Sequence, residues 1–371
     1  MNLLIVGGGI TGLSAAWFLK KKHPEAKITL FEKTGRLGGW IRTSREGGYL
    51  FEKGPRTFQM GRSPHLLQLI NELKLKIIPS DPSAAKRFIL YQGRLRSIGS
   101  FFPKLIPYLI RECFISPSRL EDESIYDFAA RRFSPKIAET FFDPLTLGIY
   151  AGDIRKLSIR ACFPALYQWE KEKGSVVRGI FSAPKKAKGL FTIHTGMETL
   201  IDELQKQLSI EIILNCPVEI ISDCEVFAGG KTWMADRVIS ALPPELPCRS
   251  IWVVNLAYND DILPKKGFGY LVPTQENESL LGVIFDSAIF PEQNHSRETR
   301  LTAMVRSEEK EPLQAALSAL ERHLGVKAWP DHSSVFLAKN AIPQFEVGCT
   351  YSEGISVDAC VKRGMMKAGF A

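Results

Sequence analysis

The sequence predicts an α/β fold organised around a Rossmann-like dinucleotide-binding unit. An apolar strand, a glycine-rich turn that opens a helix, and an acidic strand end follow one another at the start of the chain. The run Leu3-Leu4-Ile5-Val6 reads as a buried parallel strand. The turn Gly7-Gly8-Gly9-Ile10-Thr11-Gly12 follows with the spacing G-x-G-x-x-G. Gly7 permits the tight turn, Gly9 lets the backbone approach a pyrophosphate, and Gly12 lets helix pack on strand. Amides of the helix start offer partial positive charge to the anion. Ala15, Ala16, Phe18 and Leu19 supply the apolar face of that helix. Glu32 closes the next strand, Ile28-Thr29-Leu30-Phe31. Its carboxylate suits the ribose hydroxyls of an adenine dinucleotide and would repel a 2′-phosphate, which argues against NADP. These residues leave NAD and FAD both open.

Further along, residues 97–185 are rich in proline, aromatic and basic groups without strand alternation, and predict a helical part. Met197 to Leu208 predicts an amphipathic helix. Ile212-Ile213-Leu214, followed by Pro217-Val218, predicts a strand returning to the dinucleotide sheet, and Val238 to Pro244 its next strand and exit. Ile251 to Tyr258 and Gly282 to Asp286 read as strands of a separate sheet.

Composition narrows the classes. A chain of 371 residues with 45% hydrophobic side chains can bury one large core or two to three intertwined lobes. No stretch reaches the roughly 18 uncharged apolar residues of a membrane span. Met1 leads almost directly into the first strand, so a cytoplasmic protein without a signal or transit segment is expected. Seven cysteines without C-x-x-C spacing fit reduced, buried thiols, and six scattered histidines suggest no metal site. The formal charge of +8 favours anionic partners such as carboxylated substrates or phospholipid surfaces. No basic run interleaved with aromatics points to nucleic acid.

The continuation Arg36-Leu37-Gly38-Gly39 resembles the second cofactor motif of the amine oxidase-like flavoproteins, which favours FAD. The strings GGWIRT, FEKGPRTF, KRFILYQGRL, GIYAGD, LSIRACFP, ADRVISALPP, GFGYLVP, RLTAMV, AIPQFEVG and EGISVDACV follow in the order and rough spacing of one family. In this the chain resembles the protoporphyrinogen oxidases over nearly its whole length. The resemblance implies a discontinuous Rossmann-like FAD/NAD(P)-binding domain, an antiparallel-sheet substrate domain and a mostly helical membrane-facing domain. The expected division is 1–85, 189–248 and 341–371 for the FAD part, 86–188 for the helical part and 249–340 for the substrate part.

The same resemblance assigns residues. Arg36 supplies positive charge near the diphosphate, with Gly38 and Gly39 against it. Trp40 and the segment Gly54-Pro55-Arg56-Thr57 line the flavin; physically, Gly54-Pro55 makes a rigid turn and Arg56 balances negative charge. Val218 meets the adenine through its backbone. The amides of Ile355, Ser356 and Val357, at the start of a final helix, face the pyrimidine edge of the flavin. Arg87 holds a substrate propionate, for which a bidentate guanidinium is suited, and Leu271 and Met304 lie above and below the macrocycle. Lys86 and Arg94 read as solvated charges.

The implied activity is FAD-dependent oxidation of protoporphyrinogen IX to protoporphyrin IX with molecular oxygen as acceptor, in haem and porphyrin biosynthesis. Coproporphyrinogen III oxidation is the alternative enzyme reading. Hydride transfer to the flavin needs orientation and electrostatic tuning, so no catalytic side chain is expected. Phe101 to Phe114, apolar and aromatic but broken by Lys104, Arg111 and two prolines, is expected to touch the inner face of the cytoplasmic membrane peripherally. The family resemblance also implies a homodimer. The chain departs from the family pattern after Gly348: the helix and strand that should precede the closing motif have no counterpart. That gap admits either a compact active variant or a degenerate, non-catalytic porphyrin-binding relative.

Overall fold

The computed structural model describes residues 1–184, 187–351 and 354–370. Lys185 and Lys186 of the helical part, Ser352 of the crossing after Gly348, Glu353 at the head of the closing motif, and Ala371 lie outside the described residues.

The expected dinucleotide sheet forms from strands far apart in sequence. Glu211–Ile213, Lys27–Phe31, Asn2–Val6 and Arg237–Ser240 lie side by side in that order, all parallel. The helix Ile10–Lys22 packs on this sheet through Leu13, Ala16 and Phe18, in one core with Leu200, Ile201 and Leu204 of the helix Glu198–Gln207. The final helix Val357–Lys367 joins that core through Val357 and Val361. Gly364 permits its close approach, because a Cβ there would stand 2.6 Å from the Thr11 carbonyl oxygen.

One strand expectation needs correcting. The strand at Glu211–Ile213 stops there, and Val218 begins a separate antiparallel meander of Val218–Ile221, Glu225–Ala228 and Lys231–Met234. Asn215 at φ 53° turns the chain, and Pro217 offers no amide to continue the ladder.

A second, seven-stranded sheet has its own core. Its order is His332–Pro343, Cys248–Tyr258, Thr299–Arg306, Leu280–Ile284, Gly269–Leu271, Arg87–Tyr91 and Arg94–Ser97. Every pairing is antiparallel except that of Gly269–Leu271 with Arg87–Tyr91.

The helical part carries the helices Phe102–Glu112, Ile125–Arg132, Asp143–Tyr150, Pro164–Lys173 and Val176–Ser182. Among the described residues no helix is long and apolar enough to cross a membrane. The crossing after Gly348 runs along this part. The Gly348 amide donates to Asp122 at 3.0 Å, Arg160 donates to the Cys349 carbonyl at 3.3 Å, and Tyr351 stacks on Phe345. The described residues of the crossing contain no strand, and Arg237–Ser240 remains an edge of the parallel sheet.

Candidate functional site

The two glycine turns meet. Gly9 and Gly38 form a parallel bridge, and the Gly38 amide donates to the Gly8 carbonyl at 2.8 Å. Gly9 precedes the helix Ile10–Lys22 without a side-chain cap, so the leading helical amides keep their hydrogen-bonding capacity. No atom lies within 4 Å of where a Gly9 Cβ would stand, whereas a Cβ on Gly12 would come within 2.0 Å of the Gly7 carbonyl oxygen. Gly9 therefore faces an open cradle, and Gly12 closes the packing behind it. An anionic diphosphate matches this arrangement.

Glu32 is oriented from two sides. One carboxylate oxygen accepts from the Gly8 amide at 2.8 Å, and the other from the Thr34 amide and hydroxyl at 2.9 and 2.8 Å. With about four lone-pair directions, a carboxylate held this way still has capacity for sugar hydroxyls. Arg36 works inside its own loop. Its guanidinium donates to the Gly39 and Ile41 carbonyls at 2.8 and 2.7 Å and pairs with Glu198 at 3.0 Å, bracing the second glycine turn from behind.

Gly39 and Trp40 are exposed beside the cradle. A Cβ on Gly54 would stand 1.9 Å from the Trp40 carbonyl oxygen, so only glycine lets the segment Gly54–Thr57 pass so close. The Thr57 hydroxyl is buried without a hydrogen-bond partner, an orphaned polar group at the place expected to meet a flavin. Arg56 is not a free charge. It pairs with Asp286 at 3.1 Å, donates to the Glu52 carbonyl at 2.9 Å and contacts the Thr302 hydroxyl. Sequence reading missed Glu52, Asp286, Thr302 and Asn255. They are spread over three strands and a short helix, and no spacing rule joins them.

On the seven-stranded sheet, Leu271 and Met304 do not lie on opposite faces. Leu271 pairs with Gly282 and Gly282 with Met304, so the two side chains share one face across a glycine. Two strand spacings separate them, about 9.6 Å, and a flat ring standing edge-on over Gly282 would have one on each side. Ile89 continues that row, and Arg87 lies one step along the same face, exposed, with its guanidinium 5.1 Å from the centre of the Phe268 ring. Gly148 closes on Leu271, since a Cβ there would stand 2.5 Å from Leu271 Cδ2.

Despite the short crossing, the final helix reaches the dinucleotide part. Ser356 caps it by accepting from the Ala359 amide at 3.1 Å. Asp358 receives the Leu66 amide at 2.8 Å and contacts His65 Nδ1 at 3.0 Å. Val357 is buried, and Ile355 packs against the helical part. Val218 pairs with Ala228 in the meander, packed with Phe31 and Val226.

An uncapped helix start, an open glycine cradle and an oriented acid form a dinucleotide site of the Rossmann type, accompanied by a separate, mainly antiparallel sheet. Residues 10–246 match the family of flavin containing amine oxidoreductases. The chain is 31% identical to protoporphyrinogen oxidase of Homo sapiens over 422 positions, covering 94% of this chain and 88% of the relative. It is 26% identical to coproporphyrinogen III oxidase of Bacillus subtilis (strain 168) over 414 positions, with the same coverage of 94% and 88%. A solved protoporphyrinogen oxidase-like protein of Exiguobacterium sp. 255-15 superposes with a TM-score of 0.83 at 24% identity, over 99% of this chain and 98% of that one. Putrescine oxidase bound to putrescine reaches 0.73 at 17% identity, over 100% and 98%; at these identities the two structures establish the fold. The chain belongs to the flavin containing amine oxidoreductases and, within them, to the protoporphyrinogen oxidase family. Both alignments are longer than its 371 residues, so the relatives carry residues that have no counterpart here.

Proposed function

We propose that this chain binds FAD and oxidises protoporphyrinogen IX to protoporphyrin IX, with molecular oxygen as the final acceptor. The observation that carries the reading is the junction of the two glycine turns at the uncapped start of the helix Ile10–Lys22. Family membership supplies the substrate class. When bound, FAD supplies the hydride acceptor.

The chain's own residues hold and orient. The amides of Ile10 and Thr11, with Gly7, Gly8, Gly9, Gly12, Gly38 and Gly39, receive the diphosphate, and Arg36 keeps the second turn in shape. Glu32 takes the ribose, and the Val218 backbone borders the adenine. Trp40, Gly54, Pro55, Arg56 and Thr57 line the ring, with the helix start at Ile355, Ser356 and Val357 opposite its pyrimidine edge. The substrate's apolar ring stands over Gly282 between Leu271 and Met304, and Arg87 takes a propionate. The proposed division of the chain remains 1–85, 189–248 and 341–371 for FAD, 86–188 for the helical part and 249–340 for substrate.

The test is an anaerobic titration of the purified protein with protoporphyrinogen IX and, separately, coproporphyrinogen III, following flavin absorbance. Bleaching by the first substrate that reverses in air with porphyrin formed supports the reading. Faster turnover of the second transfers the assignment to coproporphyrinogen. A missing flavin band, or one neither substrate changes, identifies a degenerate relative.

Arg87→Ala is expected to raise KM for the porphyrinogen roughly 10- to 100-fold at unchanged flavin content. A hydrogen bond to a charged group contributes about 1.5–3 kcal/mol, and 1.4 kcal/mol is tenfold. Steady-state kinetics checks it, and Arg87→Lys should recover only part of the loss because the bidentate fork is gone.

The helical part also presents an apolar surface. Phe102, Ile106 and Ile110 recur every fourth residue on one exposed helix face, continued by Phe114, Ile180 and Phe181, of which Phe114 and Phe181 are 80% and 85% exposed. This surface is read as a peripheral membrane contact. Flotation with anionic liposomes should carry the protein upward, and Ile106→Asp with Ile110→Asp should leave it in the soluble fraction.

A further inference from the structure

Beneath the turn Gly54–Thr57 lies a buried polar cluster in which one acid has no cation of its own. Glu52, 6% exposed, ends the strand Tyr49–Glu52. With Arg56, Asn255, Asp286, Gln293 and Arg300 it lines an enclosed cavity of ≈ 10 Å³, the space of about one water. The surrounding charges pair off. Arg56 meets Asp286 at 3.1 Å, Arg300 meets Glu298 at 2.8 Å, and Arg36 meets Glu198 at 3.0 Å. Lys53 and His332 contact Glu46 at 2.8 and 3.5 Å, and Arg45 donates to the Thr195 carbonyl.

Glu52 receives only neutral donors, the Met197 amide at 2.7 Å and the Thr43 hydroxyl at 2.9 Å. Asn255 Oδ1, buried on the same cavity, has no hydrogen-bond partner. The two ion pairs nearest the cavity, Arg56–Asp286 and Arg300–Glu298, cancel within themselves; an ionised Glu52 adds a negative charge that belongs to no ion pair, two residues from Gly54. Its backbone carbonyl accepts from Arg56 and Asn255 at 2.9 and 3.3 Å, which ties this acid to the turn. Burial pushes the Glu52 carboxyl up to about 7, against the lowering influence of the Met197 amide, the Thr43 hydroxyl and Arg56.

We propose that Glu52 is a positioning residue that carries a proton beneath the turn Gly54–Thr57 and, by gaining or losing it, sets the charge this turn presents to the flavin. The inference rests on the reading that this turn lines FAD. It concerns an acid that touches neither cofactor nor substrate.

The sign follows from linkage. An acid whose folded pKa lies above its unfolded value of 4.5 binds its proton more tightly in the folded state, so stability falls as pH rises from 4.5 to about 7 and is level above. The ratio of the two acid constants, about 300, is the expected fall in the folding equilibrium constant attributable to this group.

The experiment compares wild-type holoenzyme with Glu52→Gln across that pH range, reading denaturant unfolding and the flavin midpoint potential. The expected result is a wild-type loss of folding stability up to pH 7 that Glu52→Gln lacks. A bend near pH 7 in the plot of potential against pH should be present in wild type and absent in the variant. Identical pH profiles in the two proteins, or an unfolding difference without a change in the potential profile, overturn the proposal. Should Glu52→Gln fail to fold, Thr43→Val removes one donor to the carboxylate and should move the wild-type inflections to higher pH; unmoved inflections overturn the proposal equally. A wild-type protein without flavin fails the cofactor reading first, and is recognised by its absorbance before any titration.

Discussion

Gly12→Ala is expected to yield a protein with lowered stability and no retained flavin. The added Cβ would stand 2.0 Å from the carbonyl oxygen of Gly7, a backbone atom with nowhere to move. Gly7 itself is fixed, since its amide donates to the Phe31 carbonyl at 2.8 Å and its φ of 107° already requires glycine. Relief has to come from shifting the helix Ile10–Lys22 off the parallel sheet, at a cost of about 3 kcal/mol, the upper part of the usual overpacking range. The helix start then no longer faces the place where Gly9 and Gly38 meet. Gly9→Ala separates the two effects. Nothing lies within 4 Å of its added Cβ, so the protein should keep its unfolding midpoint and lose only cofactor. Flavin absorbance after gel filtration, read with thermal unfolding, checks both variants. A Gly12→Ala protein carrying stoichiometric flavin would show that the turn does not hold the diphosphate.

Glu112→Ala should be the most destabilising change in the helical part. Glu112 and Arg132 are fully buried and hydrogen-bonded, with Arg132 Nε 2.7 Å from the carboxylate. The same carboxylate receives the Ser175 hydroxyl at 2.5 Å and the Val176 and Val177 amides at 2.8 and 3.2 Å, holding the start of the helix Val176–Ser182. Truncation leaves buried Arg132 with Glu170 at 3.3 Å as its remaining carboxylate and strips the Val176 and Val177 amides of their acceptor, although Ser175 still caps that helix, so a loss of about 3–5 kcal/mol is expected from denaturant unfolding. Pairing Glu112→Leu with Arg132→Met should cost much less, because no buried charge is then left alone. Burial pushes the Glu112 carboxyl up, but the donors from Ser175, Val176, Arg132 and Val177 prevail and hold it below its usual range. Its contribution is therefore fully present above the unfolded value of 4.5 and is lost as pH falls through the lower folded value. That dependence runs opposite to the one expected for Glu52. This carboxylate also locks the two helices that expose Phe102, Ile106, Ile110, Ile180 and Phe181, so its loss should weaken liposome binding together with stability.

The dinucleotide half was legible because its rules are local. A strand, a glycine spacing and an acid at a strand end occur within one short stretch, and each follows from backbone geometry that only particular residues permit. The helix over 198–207 and the strand at 248–258 were legible from periodicity, whereas the strand expected from Gly282 to Asp286 runs over 280–284 and Asp286 opens a short helix. Arg36 was read by type and position, but three acceptors within reach, the carbonyls of Gly39 and Ile41 and the Glu198 carboxylate, engage its donors inside the loop. The strand expected to continue through Val218 failed because Asn215 and Pro217 turn the chain into a meander.

By itself, the sequence determined that a dinucleotide turn opens the chain, that a family pattern continues through it, and that only four residues separate Gly348 from the closing motif. Each of those facts depends on neighbours along the chain. Only the tertiary structure decided that Leu271 and Met304 flank Gly282 on one face, that Arg56 is neutralised by Asp286, and that the Glu52 carboxylate accepts from neutral donors. Those facts depend on strand register and on which charges are brought together when water is excluded, and no spacing in the sequence encodes the partner.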